Sequence, residues 1–248
     1  LAGPSKWGIR QFHGRAQVNL VTSAPMLDKA AEYRIGNVDV WPKAVDTQSF
    51  SPDKRTREMR SRLSDGHPDA PLVTYIGRIS AEKSTERTLG IMEAVRKSVP
   101  DARLALIGAG PQLDQLRRTM DRDWVTFTGY LSGDELHKAY ASGDALIFPS
   151  TTETLGFAAL EAFASGVPVV GAHAGGLPYV IDDGVTGFLV DPGEPDERWA
   201  RPIIELLTRP ELREYMSGAA REEALKWSWR TATERLVEFY EEARASKS

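Results

Sequence analysis

Two carboxylates eight positions apart, Glu153 and Glu161, stand in a stretch that reads as strand end, polar turn, apolar helix and next strand, from Phe148 to Val170. Between 155 and 164 every position except Gly156 and Glu161 is apolar, so a helix there is expected to be buried over most of its surface. A carboxylate left unpaired in such surroundings is costly, and Glu161 therefore requires a cation or hydrogen-bond donors. Ser150, Thr151 and Thr152 form a turn-and-cap cluster that places the helix start near Thr154. With Glu153 just ahead of the helix and Glu161 two turns in, the helical rise separates them by roughly 10 to 12 Å along the axis. The N–H groups of residues 154–157 would be free at the helix N-terminus, where negative charge or sugar oxygens are favoured. A nucleoside diphosphate sugar, with hydroxyls at both ends and anionic groups between, has this layout. Two plainer readings stay open on spacing alone: Glu161 paired with a core arginine, and Glu153 as a first-turn acid that suits the helix dipole.

Cations follow an earlier strand. Arg78 and Lys83 flank its end and the start of the next helix, where they could clamp a diphosphate and neutralise a leaving group. Taken alone, charged residues after a strand are more often simply solvated. Gly77, before Arg78, allows close approach of the backbone to a ligand. Gly108-Ala109-Gly110 also follows a strand and opens a helix, which invites a dinucleotide reading. Leu113 stands where a third glycine belongs, and no acid ends the next strand, so a nicotinamide cofactor is not expected. Asp121-Arg122-Asp123 matches the acid-any-acid word of metal-dependent sugar transferases, yet it precedes its strand and reads as a solvated turn. With no His/Cys cluster, neither a metal nor any other cofactor is expected. His13, His173 and Asp134 are taken as structural, the last as a helix cap.

The elements that must position these residues alternate. Strands are expected at 72–76, 103–107, 125–128, 145–148, 167–170 and 187–190, with helices at 85–98, 112–119, 133–141, 155–165 and 177–181. Such alternation predicts an α/β domain, a Rossmann-like parallel sheet with helices on both faces, in which ligands bind beyond the carboxyl ends of the strands. Residues 1–45 read as the tail of a second α/β domain, 46–70 as a charged linker with a helix around 54–63, and 71–229 as the main domain. Helices at 197–207 and 211–227 cover the sheet, and 230–248 is a last amphipathic helix.

The 248 residues carry 41% hydrophobic content, enough for a core, and a formal net charge of −4, which argues against a nucleic-acid surface. Cysteine is absent, which excludes disulfides and thiol nucleophiles and fits a reducing compartment. No apolar run approaches the length of a membrane span. The chain begins with Leu1 rather than Met, in mid-pattern, and is expected to be a fragment or a processed product.

The Glu153-Thr154-Leu155-Gly156-Phe157 to Glu161-Ala162 pattern resembles the signature of retaining glycosyltransferases of family 4. The likeness extends in order through Tyr75-Ile76-Gly77-Arg78-Ile79 with Lys83, Ile107-Gly108-Ala109-Gly110-Pro111, Phe127-Thr128-Gly129-Tyr130-Leu131, Ala172 with Gly175-Gly176, and Gly184-Thr186-Gly187-Phe188. Within the family, Val45-Asp46, Ser49-Phe50, Glu82-Lys83-Ser84, Gly133-Asp134-Glu135-Leu136, Ala139-Tyr140-Ala141-Ser142-Gly143-Asp144 and Trp229-Arg230-Thr231 are similar to the sulfoquinovosyltransferases that make sulfolipid. The resemblance implies a GT-B C-terminal domain, with the last helix crossing back to an N-terminal acceptor-side domain.

It also implies roles. Glu153 would face the donor sugar and Glu161 would accept the ribose hydroxyls. Thr154, Leu155 and Gly156 would offer main-chain N–H groups, Gly108 would lie close to the nucleotide, and Gly129 and Tyr130 would meet the base. Arg78, Lys83 and Glu153 are then the catalytic candidates. A nucleotide-sugar donor, UDP-linked rather than GDP-linked, is expected, and a lipid or glycan acceptor met through the N-terminal domain. Sulfoquinovose transfer to diacylglycerol and peripheral membrane association of the full-length protein are the finer expectations. GDP-mannose transfer and a non-catalytic nucleotide-sugar-binding module are the alternatives.

Overall fold

The computed structural model describes residues 3–41, 44–153 and 155–245. The chain begins with α1 (Gly3–His13), β1 (Asn19–Val21), α2 (Ala24–Glu32), β2 (Val38–Val40) and α3 (Arg57–Leu63). Then come β3 (Leu72–Ile76), α4 (Arg87–Arg96), β4 (Arg103–Ile107), α5 (Leu113–Thr119), β5 (Val125–Gly129), α6 (Gly133–Ser142) and β6 (Ala145–Phe148). The rest is α7 (Phe157–Ala164), β7 (Val169–Ala172), β8 (Gly187–Val190), α8 (Asp196–Thr208), α9 (Pro210–Lys226) and α10 (Trp229–Ala245). These divide into two compact units, residues 1–44 with 226–248, and residues 45–225.

In the first unit β1 and β2 pair in parallel, with Asn19 opposite Val38. The Asn19 amide donates to the carbonyls of His13 and Gly36, both at 3.0 Å, which closes the turn after α1. His13 is spent on the same contact, its Nδ1 lying 2.8 Å from the Asn19 side-chain oxygen. The Trp41 indole donates to the Ala232 carbonyl at 3.0 Å and so ties α10 into this unit.

The second unit carries the site. Its six strands run in the order β5-β4-β3-β6-β7-β8, and every neighbouring pair is parallel. All positions of β3, β6 and β7 are buried, which is why they read as apolar runs without alternation. For parallel strands in this order, the right-handed rule for crossovers assigns α4 and α5 to one face and α6 and α7 to the other. The chain works outward from β3 to β5, returns to β6 and works outward the other way. The reversal opens a crevice between the carboxyl ends of β3 and β6, the preferred ligand position in such sheets.

Several boundaries differ from the sequence expectation. The strand expected at 167–170 lies at Val169–Ala172, and the helix expected at 177–181 is a single 3₁₀ turn, Leu177–Tyr179. Helix α7 begins at Phe157 rather than near residue 154, because Gly156 at its N-cap is left-handed, with φ 70°. The axial estimate of the separation of Glu153 and Glu161 therefore applies only beyond Phe157. Residues 46–70, expected as a linker, pack into the second unit: Phe50, Met59 and Leu63 are buried, and Thr56 Oγ1 caps α3 by accepting the Met59 N–H at 3.1 Å.

Candidate active site

Strand β3 delivers Gly77 and Arg78 to the crevice, and β4 delivers Gly108 beside them. The two turns touch, with the Gly77 N–H donating to the Ile107 carbonyl at 3.0 Å. A Cβ on Gly108 would sit 1.9 Å from the Gly77 oxygen, so only glycine lets these turns close. Beneath them Tyr75 is fully buried and stacks on Phe148 of β6, ring centroids 6.1 Å apart. Its hydroxyl donates to the Arg78 carbonyl at 2.8 Å and accepts from Thr85 Oγ1 at 3.1 Å. Burial pushes the Tyr75 phenol up to about 12, so it stays protonated and keeps pinning the Arg78 turn.

Across the crevice a cavity of about 370 Å³ is lined by Gly77, Arg78, Gly108, Tyr130, Tyr140 and Glu161, with Leu131, Leu136 and Ala158 as its apolar wall. Glu161 projects from α7, whose Ala159, Leu160, Ala162 and Phe163 are buried around it. The group that stabilises it is not an arginine but the Tyr140 hydroxyl, which donates to Oε2 at 2.6 Å. Burial raises the Glu161 pKa, and the Tyr140 hydrogen bond acts in the opposite direction without cancelling it.

Glu153 has the opposite balance. Burial works to raise its pKa, yet the Lys83 ammonium at 3.0 Å and the N–H groups of Gly156 and Leu155 prevail and hold it below the ordinary carboxylate value. Those N–H groups reach Oε1 at 3.0 and 3.4 Å. The loop after β7 fixes Glu153 from behind, because the Gly176 N–H donates to its carbonyl at 2.6 Å. At Gly175, with φ 60°, a Cβ would fall 2.3 Å from that same carbonyl, so this clamp requires glycine.

The structure thus brings together Gly77, Arg78, Gly108, Tyr130 and Glu161 around one cavity, and Lys83 with Glu153 in an ion pair that lies outside its lining. Leu155 and Gly156 do not offer free N–H groups as expected, since Glu153 accepts both. Gly129 ends β5 at φ 76°, and its carbonyl is taken by the Gly108 N–H at 2.9 Å. Thr154 lies outside the described residues. Asp121 and Asp123 are exposed ahead of β5, at the far end of the sheet. Asp134 does not cap α6; it pairs with Lys54 at 2.8 Å and Lys138 at 2.7 Å. Reasoning from the sequence missed Tyr75 and Tyr140. The signal for Tyr140 was the unmet need of Glu161 for a donor.

Comparison with known proteins extends the picture. The family described as "Glycosyl transferases group 1" matches residues 59–223. The sulfoquinovosyl transferase SQD2 of Arabidopsis thaliana is 44% identical over 237 residues, 93% of this chain and 46% of that protein. A GDP-mannose-dependent alpha-(1-6)-phosphatidylinositol monomannoside mannosyltransferase of Mycolicibacterium smegmatis is 36% identical over 210 residues, 79% of this chain and 54% of the other. The chain spans about half the length of these curated relatives. Among solved structures, Anabaena Alr3699/HepE in complex with UDP superposes with a TM-score of 0.82 at 21% identity, covering 97% of this chain and 68% of that one. At that identity the likeness establishes the α/β fold.

Proposed function

This chain belongs to the group 1 glycosyl transferases, and from that premise we propose that it is the donor-binding part of a retaining enzyme that moves a sugar from UDP to a lipid or glycan acceptor. The observation that carries the reading is the placement of Glu161. A half-buried carboxylate at the switch point of a doubly wound sheet, held by one hydroxyl and open to a cavity, suits the vicinal diol of a ribose. Glycine turns at 77 and 108 admit the nucleotide, and Tyr130, whose ring is exposed at the cavity mouth, meets the base.

Arg78 and Lys83 take the diphosphate. Charge grows on the departing phosphate oxygen as the glycosidic bond breaks, and two guanidinium or ammonium groups placed there stabilise the transition state. No metal is assigned to this step. In the ligand-free chain Lys83 and two backbone N–H groups are satisfied by Glu153. A diphosphate competes for the same donors, which releases the Glu153 carboxylate toward the sugar, where it holds hydroxyls and stabilises positive charge at the anomeric carbon.

UDP is supported by the solved HepE complexes with UDP and UDP-glucose, and sulfoquinovose transfer to diacylglycerol by the similarity to SQD2. The mannosyltransferase relatives favour a second reading, GDP-mannose as donor. Calorimetric titration with UDP, GDP and NAD under identical conditions tests the assignment. Selective binding of UDP that is lost in Glu161→Ala supports it; preference for GDP moves the donor to mannose. Equal UDP binding by wild type, Glu161→Ala and Arg78→Ala would sink the site itself.

A further inference from the structure

Among the described residues the side chain of Glu161 has one hydrogen-bond partner, the Tyr140 hydroxyl on Oε2. Tyr140 is 2% exposed and comes from α6, a different helix from the one that carries the carboxylate. Its ring meets Phe50 edge-on with centroids 5.2 Å apart, and Phe50 meets His137 in the same manner at 4.7 Å. Beyond Phe50 the segment 47–55 is tied to both helices. Arg55 donates to the carbonyls of Ala141 and Gly143 at the end of α6, at 3.3 and 3.0 Å. Arg221 donates to the carbonyls of Thr47 and Phe50, both at 2.9 Å, and to that of Ala164 at the end of α7. One braced segment therefore holds both the tyrosine and the helix bearing its acceptor.

We propose that Tyr140 is a positioning residue that selects ribonucleotides: by fixing Oε2 of Glu161 it leaves Oε1 presented to the cavity for a vicinal diol and turns the site against 2′-deoxyribose. The proposal rests on the reading of Glu161 given above as the ribose acceptor. A carboxylate offers about four lone-pair directions, and with none of them fixed it rotates freely. Two hydroxyls bound by a free rotor must order it first, and that cost removes most of the gain from the second hydroxyl. The tyrosine meets the cost in advance. It also favours the charged form of an acid that burial pushes toward neutrality, and charge-assisted bonds to hydroxyls are the stronger kind. The other charged or titratable groups around the pair are Glu153 ahead of α7, Tyr75 on β3, Arg78 on the cavity wall and His137 beyond Phe50.

The test compares the full 248-residue chain, Tyr140→Phe and Glu161→Gln by titration with UDP and 2′-deoxy-UDP between about pH 5 and pH 8. Phenylalanine keeps the ring against Phe50 and removes one hydroxyl. The expected result is UDP binding weakened about three- to tenfold in Tyr140→Phe, with 2′-deoxy-UDP little changed, so that the preference for ribose largely disappears. The acid limb of UDP binding is expected to move to higher pH in the same variant. Unchanged ribose preference and an unchanged acid limb would overturn the assignment of Tyr140, as would an equal loss for both nucleotides, the mark of a packing effect. A wild type that does not distinguish the two nucleotides, or a Glu161→Gln variant that binds UDP as wild type does, would overturn the ribose reading of Glu161 instead.

Discussion

Glu161 and Glu153 sit on the same stretch of chain and are driven in opposite directions. Burial raises the pKa of Glu161, whereas a cation and two N–H groups lower that of Glu153 against the pull of burial. The consequence for Glu161 is a cost in stability. A carboxyl whose folded pKa lies above its unfolded value contributes stability that is complete below the unfolded pKa and is lost as pH rises through the folded one. Above that folded value an ionised carboxylate remains in a largely apolar environment. Glu161→Gln keeps an acceptor for Tyr140 and discards the charge, so it is expected to stabilise the chain by on the order of 1 kcal/mol at pH 7. The gain is expected to shrink as pH falls through the raised range of Glu161, and urea unfolding at several pH values reads it. The same substitution is expected to weaken UDP binding about tenfold or more, since a charge-assisted pair of hydrogen bonds is lost. A Gln variant that is less stable than wild type at pH 7 would mean that the carboxylate has a partner that outweighs its desolvation.

Contacts at the opposite end of the sheet brace the two strands that form the crevice. Asp144, just before β6, accepts from Arg55 at 2.8 Å, from Arg60 at 3.2 Å through both oxygens, and from the Leu72 N–H at the start of β3 at 2.8 Å. This ties α3 to the amino ends of the two strands whose carboxyl ends form the site. Burial opposes the charge on Asp144, and Arg60, Arg55 and the Leu72 N–H prevail and lower its pKa. Asp144→Ala would leave Arg60, itself only 9% exposed, with an uncompensated charge, and is expected to destabilise the second unit by about 3–5 kcal/mol in chemical denaturation. A loss no larger than that of an exposed ion pair would show that the backbone carbonyls of Pro68, Ala70 and Ser142 suffice for Arg60. This network also explains why residues 46–70 read as a linker. Beside the three buried apolar side chains Phe50, Met59 and Leu63, much of their attachment is by guanidinium groups to carbonyl oxygens and to Asp144, and a hydrophobic pattern does not register such contacts. The start of α7 was misplaced for a related reason: the Ser/Thr cluster at 150–152 looks like a cap, whereas Gly156 and the Glu153 carboxylate settle where the helix begins.

At the level of the whole molecule, the central strands β3, β6 and β7 were legible as short apolar runs set between helical stretches, the trace that buried parallel strands leave, whereas the half-buried edge strand β5 was legible through its Val125-Thr126-Phe127-Thr128 alternation. The spatial order of the strands was not in the residues; it is set by which strands pair, outward from β3 to β5 and then outward from β6 to β8, and this makes one reversal and one crevice. The acids and cations around that crevice were legible by type, and the two tyrosines beneath them were not, because a buried tyrosine looks like core until its hydroxyl is placed. Charge supplies the remaining test. The chain carries a formal net charge of −4 and yet is assigned a dianionic ligand, so local cations must overcome the general repulsion. Arg78 is the freer of the two, 65% exposed and held by Glu82 at 3.5 Å, a pairing of small worth in solvent that a diphosphate can displace. Salt screens this attraction over about 8–10 Å at moderate ionic strength. UDP affinity is therefore expected to fall several-fold as salt is raised, while binding of uridine, which lacks the phosphates, changes little. In Arg78→Ala the salt dependence for UDP is expected to flatten toward that of uridine, because the screened contact is gone. Calorimetry at a series of salt concentrations reads both slopes. If UDP and uridine respond alike in the wild type, Arg78 and Lys83 do not hold the diphosphate, and Glu153 keeps its ion pair with Lys83 when nucleotide is bound.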